Sequence, residues 1–261
     1  MSDRLVLVRD DGPVRWLTLN RPAKRNALNA ELVTALKEAL AAPGKARCLA
    51  ITGEGNTFSA GADLAALKAM RNATPAENEA DSRHLAELFL QIAEHPLPII
   101  AAMNGHALGG GAGLAVACDL TFAVPGALFG FTEVCVGFVP AIVLNFLVRT
   151  VGEKEARALC LTGQKIPVEE AQKAGILGVT PALRDTVTYF GEQFARTSPE
   201  AVAHTKRLFL QLDGLPLKDG VMLAAKENAA ARATSDCREG IAAFLEKRYP
   251  RWVPESLRDK E

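Results

Sequence analysis

The sequence predicts an α/β fold with a C-terminal helical section. Along the first part of the chain, short apolar segments typical of strands alternate with longer segments whose apolar residues recur at helical spacing. From about Ser198 onward the strand pattern disappears and only helical spacing remains. The 261 residues are 49% hydrophobic, which is enough to bury a large core. We therefore divide the chain into an α/β core, residues 1–197, and a helical section, residues 198–261.

The order of the elements begins with two strands. Apolar and polar residues alternate on both sides of the turn-forming run Asp10, Asp11, Gly12 and Pro13, which predicts a hairpin. Strand character is found at residues 5–9, 14–19, 48–51 and 98–103, and helical spacing at residues 30–42, 77–94, 199–212, 217–232 and 236–247. An order of strand, strand and helix repeats along the core.

The charges of the chain balance, with 30 Lys and Arg against 30 Asp and Glu. A chain without net charge has no overall field that attracts nucleic acid or an anionic membrane. No apolar stretch approaches the length of a membrane span, and residues 1–5 lack the apolar region of a signal peptide. We expect a cytoplasmic protein that binds neither nucleic acid nor membrane.

The cysteines and histidines show no pattern of metal binding. The five cysteines are odd in number and scattered, which favours reduced thiols packed as small apolar side chains. The four histidines form no pair at the spacing of metal ligands. We expect no metal site. One histidine, His106, lies beside a glycine cluster, and we interpret it as a hydrogen-bonded structural residue rather than a pocket residue.

Two segments of small residues, 58–64 and 104–113, are the most informative part of the chain. Each follows an apolar strand segment and continues into a helical one, so each can place a backbone N–H group near a helix N-terminus. Two such groups directed at one ligand oxygen favour negative charge on that oxygen. Either segment alone is also explained by the need for glycine in tight turns. The pair predicts a site for a developing oxyanion.

Glu133 is an isolated carboxylate within the apolar stretch of residues 128–139, which contains no basic residue. Burying a carboxylate without a partner is costly, so a raised pKa is expected for this group. A raised pKa suits proton transfer near neutral pH. The alternative is a structural or helix-capping glutamate.

These motifs resemble the crotonase superfamily, the enoyl-CoA hydratase/isomerase group, over almost the whole chain. The segments that carry the resemblance are residues 20–28, 59–64, 109–111, 132–137, 171–178 and 244–248. The resemblance implies a crotonase (ClpP-like) spiral of β-β-α units with a C-terminal helical section. It also implies a CoA-thioester site in the core, and assembly through the C-terminal helices into a homotrimer or a homohexamer built as a dimer of trimers.

The resemblance implies roles for individual residues. The backbone N–H groups of Ala62 and Gly110 correspond to the family's oxyanion hole, and Glu133 to its proton-transferring glutamate. The residues that correspond to binding positions for the acyl-CoA thioester are Lys24, Ala60, Ala62, Asp63, Leu64, Gly110 and Lys247. Lys247 is equally well explained as a solvated surface lysine. Coenzyme A is part of the substrate in this family, so no separate cofactor is expected.

One position departs from the pattern of the best-known hydratases. They carry a second glutamate three residues after the oxyanion-hole glycine, where this chain has Gly113. We expect a 2-enoyl-CoA hydratase that works with one glutamate. The alternatives are a 3,2-enoyl-CoA isomerase or a methylglutaconyl-CoA hydratase and, more remotely, a noncatalytic CoA- or RNA-binding relative. Ala141 stands where dienoyl-CoA isomerases place a second acid, which argues against that activity.

Apolar residues that follow Glu133 have two interpretations. They are Phe138, Val139, Ile142, Val143 and Phe146, and they either form the wall of the acyl pocket or pack into the core as one face of a helix. We favour the core for most of them. The length of the acyl chain therefore does not follow from the sequence.

Overall fold

The computed structural model describes residues 4–258. The strands are β1 (Val6–Asp11), β2 (Val14–Leu19), β3 (Cys48–Gly53), β4 (Thr57–Ser59), β5 (Ile99–Met103), β6 (His106–Leu108), β7 (Leu120–Ala123), β8 (Leu128–Gly130), β9 (Ile166–Pro167) and β10 (Gly178–Val179). The helices are α1 (Ala30–Ala41), α2 (Leu64–Ala69), α3 (Pro75–Glu94), α4 (Gly110–Ala117), α5 (Ala141–Thr162, interrupted at Gly152), α6 (Val168–Lys173), α7 (Leu183–Arg196), α8 (Pro199–Leu212), α9 (Leu217–Ala231) and α10 (Ser235–Leu245).

The strands form two sheets. The larger sheet has six strands in the order β1-β2-β3-β5-β7-β10, and the smaller has four in the order β4-β6-β8-β9. The hairpin of β1 and β2 is antiparallel, and every other pair in the larger sheet is parallel. In the smaller sheet β4, β6 and β8 are parallel and β9 is antiparallel to β8.

The chain alternates between the two sheets. A strand of the larger sheet is followed by a strand of the smaller sheet and then by a helix, in the series β3-β4-α2, β5-β6-α4 and β7-β8-α5. This is the repeating strand, strand, helix order expected from the sequence. Its consequence is that three adjacent, parallel strands of the smaller sheet each lead directly into a site segment.

Most predicted elements are confirmed, with shifted bounds. The long helix α3 begins at Pro75, before the predicted start at Glu77. Thr74 caps this helix, because its hydroxyl accepts the Glu77 N–H while the Glu77 carboxylate accepts the Thr74 N–H. The strands β4, β6 and β8 were not delimited by the sequence pattern, since three residues are too few to show a period.

The core lies between the two sheets and the helices that cover them. Its largest fully buried side chains include Phe58, Phe89, Phe129 and Phe131. The opposite face of the larger sheet packs against α7 through Val14, Ala50, Ile100, Ala102 and Val187. The larger sheet is therefore covered on both faces, as its apolar parallel strands require.

The part of the chain from residue 198 to 258 contains α8, α9, α10 and a short 3-10 helix, and no strand. Two partly buried cations attach it to the core. The Lys206 ammonium donates to the Asp119 carboxylate at 2.7 Å and to the carbonyls of Ile92 and Leu97. The Arg47 guanidinium donates to the carbonyl of Thr197 at 2.7 Å and to that of Trp252 at 3.0 Å. None of the helices in residues 4–258 combines the length and apolar character needed to cross a membrane.

Candidate active site

Three loops meet at the carboxyl ends of β4, β6 and β8. The segment after β4 carries Ala62, the segment after β6 carries Gly109 and then Gly110 at the start of α4, and the segment after β8 carries Thr132 and Glu133. Because the three strands are adjacent and parallel, their carboxyl ends lie side by side. The smaller sheet thus brings together segments that are about 70 residues apart in the chain.

The Ala62 amide is left free by the way its loop is held. Leu28 donates its N–H to the Gly61 carbonyl at 2.7 Å and accepts the Asp63 N–H at 3.0 Å. These two bonds form a parallel bridge in which the N–H of Ala62 points away from Leu28. Within residues 4–258 this N–H has no acceptor. Gly61 has φ +84°, and a Cβ there would lie 2.6 Å from the Leu108 carbonyl oxygen, so only glycine fits.

The Gly110 amide is the second free donor. Gly110 is the first residue of α4, so its N–H has no partner inside the helix, and none is found elsewhere in the described chain. Gly109 precedes it with φ +53° and donates its own N–H to the Gly130 carbonyl at 2.8 Å. A Cβ built on Gly110 would lie 3.9 Å from the Ala62 nitrogen. The two free amides are therefore close neighbours, and one lies at the positive end of a helix.

Glu133 lies against the same loop. It is the first residue of the 3-10 helix Glu133–Val136, and a Cβ on Gly109 would lie 3.3 Å from its Oε1. Its Oε2 is shielded from solvent and has no hydrogen-bond partner among the described residues. Burial raises the pKa of this carboxyl above its ordinary value. A carboxylate with an unpaired oxygen beside two free amides is equipped to move a proton near an anionic centre.

A single cavity of about 310 Å³ connects these groups. It is lined by seven of the sequence-predicted site residues, namely Lys24, Ala60, Ala62, Asp63, Leu64, Gly110 and Glu133. Lining residues to which the sequence analysis gave no role are Ala23, Arg25, Ala27, Ala65, Leu67, Gly109, Thr132 and Val136. Lys247 does not line the cavity. It is exposed after the end of α10, so the single chain does not bring it to the site.

Asp63 has a structural function in addition to its place in the cavity wall. Its carboxylate caps α2 by accepting the N–H groups of Ala65 and Ala66, and it accepts the Arg21 guanidinium at 2.9 Å. Both partners of the ion pair are mostly buried. The Arg21 hydrogen bond, followed by the capping amides, holds the pKa of Asp63 below its usual value despite partial burial. The residue expected to contact the CoA thioester thus also holds the start of α2 beside Ala62.

Two polar residues that the sequence analysis did not assign hold the Ala62 loop. Asn26 is fully buried and donates to the carbonyls of Glu54 and Thr57 at 3.0 Å and 2.7 Å. Ser59 donates its hydroxyl to the Asn26 carbonyl at 2.9 Å and accepts the Gly61 N–H at 3.3 Å. In the sequence, the only indication of these roles was that each polar residue lies inside a motif, Asn26 in residues 20–28 and Ser59 in residues 59–64.

The apolar residues after Glu133 divide between core and cavity. Val143 is buried, and Ile142 and Phe146 pack against the core, as favoured from the sequence. Phe138 instead lines the cavity and is 45% exposed. Val139 belongs to neither group, because it is 61% exposed and does not line the cavity.

His106 is outside the cavity wall. Its Nδ1 accepts the Leu128 N–H at 2.9 Å, which links β6 to β8. Nowhere in residues 4–258 do three His, Cys, Asp or Glu side chains converge in a way that could hold a metal ion.

Gly113 lies on α4 against fully packed side chains. A Cβ at this position would lie 2.0 Å from Val143 Cγ1 and 3.1 Å from a ring carbon of Phe89. Contacts of 2.0 Å do not occur between carbon atoms, so even an alanine requires Val143 to move. The position where the best-known hydratases carry a second glutamate is therefore occupied by the core in this chain.

The raised pKa of Glu133 predicts an effect on stability. At a pH between the ordinary pKa of 4.5 and the higher pKa of the folded protein, Glu133 holds a proton in the folded protein that it has released in the unfolded chain. The free energy of unfolding therefore falls as pH rises through this window. We expect Glu133→Gln to melt at a higher temperature than the wild type at about pH 8, with the difference shrinking as pH falls toward 4.5. Calorimetry over this pH range measures it, and a variant less stable than wild type at the higher pH would contradict it.

Comparison with known proteins identifies relatives of this chain. A family model described as enoyl-CoA hydratase/isomerase matches residues 10–255. The chain is similar to a Thermus thermophilus protein provisionally named an enoyl-CoA hydratase, with 43% identity over 251 residues, covering 93% of this chain and 98% of the relative. It is similar to the 2,3-dehydroadipyl-CoA hydratase of Escherichia coli, with 36% identity over 244 residues, covering 91% and 94%.

Among solved structures, an enoyl-CoA hydratase from Shewanella pealeana matches with a TM-score of 0.91 at 28% identity, covering 95% of this chain and 96% of that one. A Legionella pneumophila structure described as an enoyl-CoA hydratase/isomerase (crotonase) matches with a TM-score of 0.87 at 33% identity, covering 96% and 100%. The chain therefore belongs to the enoyl-CoA hydratase/isomerase family of enzymes and has the crotonase fold.

Proposed function

We propose that this protein adds water across the 2,3 double bond of a 2-enoyl-CoA thioester. The observation that carries the proposal is the Glu133 carboxylate, whose Oε2 has no partner in residues 4–258, beside the two free amides of Ala62 and Gly110 in one cavity. Addition of water to such a thioester develops negative charge on the thioester oxygen, and two preorganised N–H groups stabilise that charge.

The reaction we propose needs one proton carrier. Ionised Glu133 takes a proton from the water as its oxygen bonds to C3, and the electron pair of the double bond moves toward the thioester oxygen, which the Ala62 and Gly110 amides hold. The protonated Glu133 then returns its proton to C2. Atoms and charge balance without a cofactor beyond the CoA of the substrate. The raised pKa of Glu133 supports this cycle, because burial makes the carboxylate a stronger base toward the water than an exposed glutamate.

A 3,2-enoyl-CoA isomerase is the second candidate. It is favoured by the same isolated carboxylate, because moving a double bond needs one group that removes a proton from C2 and returns it to C4. The core packing at Gly113 also leaves no room for a second glutamate from α4. Among the relatives, the name of the Escherichia coli protein specifies a 2,3-dehydroadipyl-CoA hydratase, which supports hydration of a 2-enoyl thioester as the first choice here.

The test is an assay with purified protein and a small panel of thioesters. Crotonyl-CoA is followed by loss of the enoyl-thioester absorbance and by mass analysis of the product. A gain of one water supports the hydratase, and the same assay with methylglutaconyl-CoA and 2,3-dehydroadipyl-CoA identifies a branched or dicarboxylic preference. Conversion of a 3-enoyl-CoA without gain of water, together with no hydration, identifies the isomerase. Binding of every thioester without turnover would reject both.

The role of the Gly110 amide can be tested by a substitution that fills the space beside it with a side chain. Gly110 has room for a Cβ, whose nearest neighbour is a methyl of Leu28 at 3.6 Å, so a larger residue is compatible with folding. We expect Gly110→Val to fold but to lose about 10²-fold or more in kcat, because its side chain lies beside the Ala62 amide and displaces the thioester oxygen.

The matched control is Gly220→Val on α9, where an added Cβ meets only the side chains of Leu212 and Leu215 at 3.5 Å or more. Circular dichroism establishes that both variants fold, and steady-state kinetics compares them. Full activity of Gly110→Val would remove this amide from the proposed mechanism.

We also propose assembly through the C-terminal helices into a homotrimer or a homohexamer. Large apolar side chains are exposed there in the single chain, including Phe209 (75%), Leu217 (84%), Phe244 (84%) and Leu245 (74%). Exposed apolar area of this kind is usually covered by a partner. Sedimentation equilibrium tests the proposal, since it expects the mass of three or six chains. All five cysteines are free thiols, which supports the cytoplasm as the proposed location.

A further inference from the structure

The proposed hydration leaves one requirement open, which is the orientation of the attacking water. Glu133 removes one of its hydrogens, but a water held by one group is free to rotate about that hydrogen bond. A second polar group must hold it for attack on C3. The inference below rests on the proposed hydratase function.

The α4 helix does not supply the second group. A side chain at Gly113 is excluded by Val143 and Phe89, which fill the space next to its Cα. The residues around it on α4, from Gly111 to Ala115, are small or aliphatic, so this helix presents no side-chain hydrogen-bonding group. The group that holds the water must lie elsewhere on the cavity wall.

Five polar side chains line the cavity in residues 4–258, and four of them are unsuited to this task. Glu133 is the proton carrier. Asp63 is engaged with Arg21 and the start of α2. Lys24 and Arg25 are exposed cations, and a cationic side chain has no lone pair with which to accept the second hydrogen of the water. The remaining side chain is that of Thr132.

The Thr132 hydroxyl is unused in the structure. Thr132 stands directly before the 3-10 helix Glu133–Val136, where a hydroxyl usually caps the first amides, yet it makes no capping bond. No other hydrogen bond of this hydroxyl is found among the described residues. Its backbone is held by the bond from the Cys135 N–H to the Thr132 carbonyl at 3.1 Å. The residue is therefore fixed next to Glu133 with its hydroxyl free on the cavity wall.

We propose that the Thr132 hydroxyl binds the attacking water and orients it toward C3. The hydroxyl oxygen accepts one hydrogen of the water while the Glu133 carboxylate takes the other. The lone pair of the water oxygen is then directed away from both groups, toward the substrate. In this chain a hydroxyl adjacent to the proton carrier thus takes the place of a second carboxylate on α4.

The experiment compares two reactions of the same site. Hydration of crotonyl-CoA needs the attacking water, whereas exchange of the C2 hydrogens of butyryl-CoA in D₂O needs only Glu133 and the two amides. We expect Thr132→Val, which keeps the shape and removes the hydroxyl, to lose about tenfold or more in kcat for hydration while its exchange rate stays within about twofold of wild type. Thr132→Ser is expected to restore most of the hydration rate.

The control is Thr150→Val on α5, where the hydroxyl bonds the Phe146 carbonyl and does not line the cavity. It should leave both reactions unchanged. Hydration by Thr132→Val at the wild-type rate overturns the proposal, and so does an equal loss of hydration and exchange, which would mark a structural effect on Glu133. A wild-type protein that exchanges C2 hydrogens but hydrates no 2-enoyl-CoA would instead overturn the proposed function itself.

Discussion

Replacement of Glu133 by glutamine is expected to lower kcat for hydration of the 2-enoyl thioester by about 10²–10⁴-fold, the usual contribution of a positioned proton carrier. The substitution keeps the shape of the side chain and removes the group that exchanges the proton. The Ala62 and Gly110 amides are untouched, so thioester binding should persist. Loss of crotonyl-CoA absorbance measures the rate, and isothermal titration with a CoA thioester measures the binding.

The control for this variant is Glu155→Gln, an exposed glutamate on α5 outside the cavity. It should hydrate at the wild-type rate. In the wild type, kcat should fall as pH decreases through the raised pKa of Glu133, because the ionised form takes the proton from water. Unchanged hydration by Glu133→Gln would refute the role proposed for this residue.

Alanine at Gly113 is expected to lower the free energy of unfolding by about 1–3 kcal/mol, the usual cost of overpacking a filled core. The added Cβ would lie 2.0 Å from Val143 Cγ1, and Val143 is buried with little room to move. The alanine gains some helix propensity, but that gain is smaller than the cost of the clash. Urea unfolding at a fixed protein concentration measures the change.

The double variant Gly113→Ala with Val143→Ala should be more stable than the sum of the two single effects predicts, because removing the Val143 methyls provides the space for the new one. Gly220→Ala on α9 is the matched control, since the Cβ there meets only ordinary contacts and should stabilise the helix by about 0.5–1 kcal/mol. If Gly113→Ala were as stable as wild type, the packing that excludes a second glutamate would not be rigid.

The sequence alone identified the groups whose chemical character follows from their immediate neighbours in the chain. Small residues in segments 58–64 and 104–113 predict exposed backbone amides, because residues without bulky side chains let other atoms approach the backbone. Glu133 was identified because a carboxylate among apolar residues is costly to bury without a function. The structure places Ala62, Gly110 and Glu133 at one cavity. The strand, strand, helix order was also visible, because strands in the larger sheet are long enough to show their apolar pattern.

The tertiary structure decided which groups meet and which space is already filled. The three-residue strands β4, β6 and β8 have no periodic signal, yet their parallel order brings Ala62, Gly110 and Glu133 together. Asn26 and Ser59 acquire their roles only through bonds to distant backbone groups.

Gly113 is informative in the same way. The sequence shows only that a glycine stands where the best-known hydratases carry a second glutamate. The folded chain shows that Val143, 30 residues further along, fills the space that a side chain at position 113 would need. Thr132 likewise becomes a candidate only after the other polar side chains of the cavity wall are accounted for. Sequence patterns report the character of a residue and of its near neighbours, whereas packing and cavity contacts join residues far apart in the chain. The sequence by itself therefore determined the family of chemistry, and the tertiary structure decided which side chains are free to perform it.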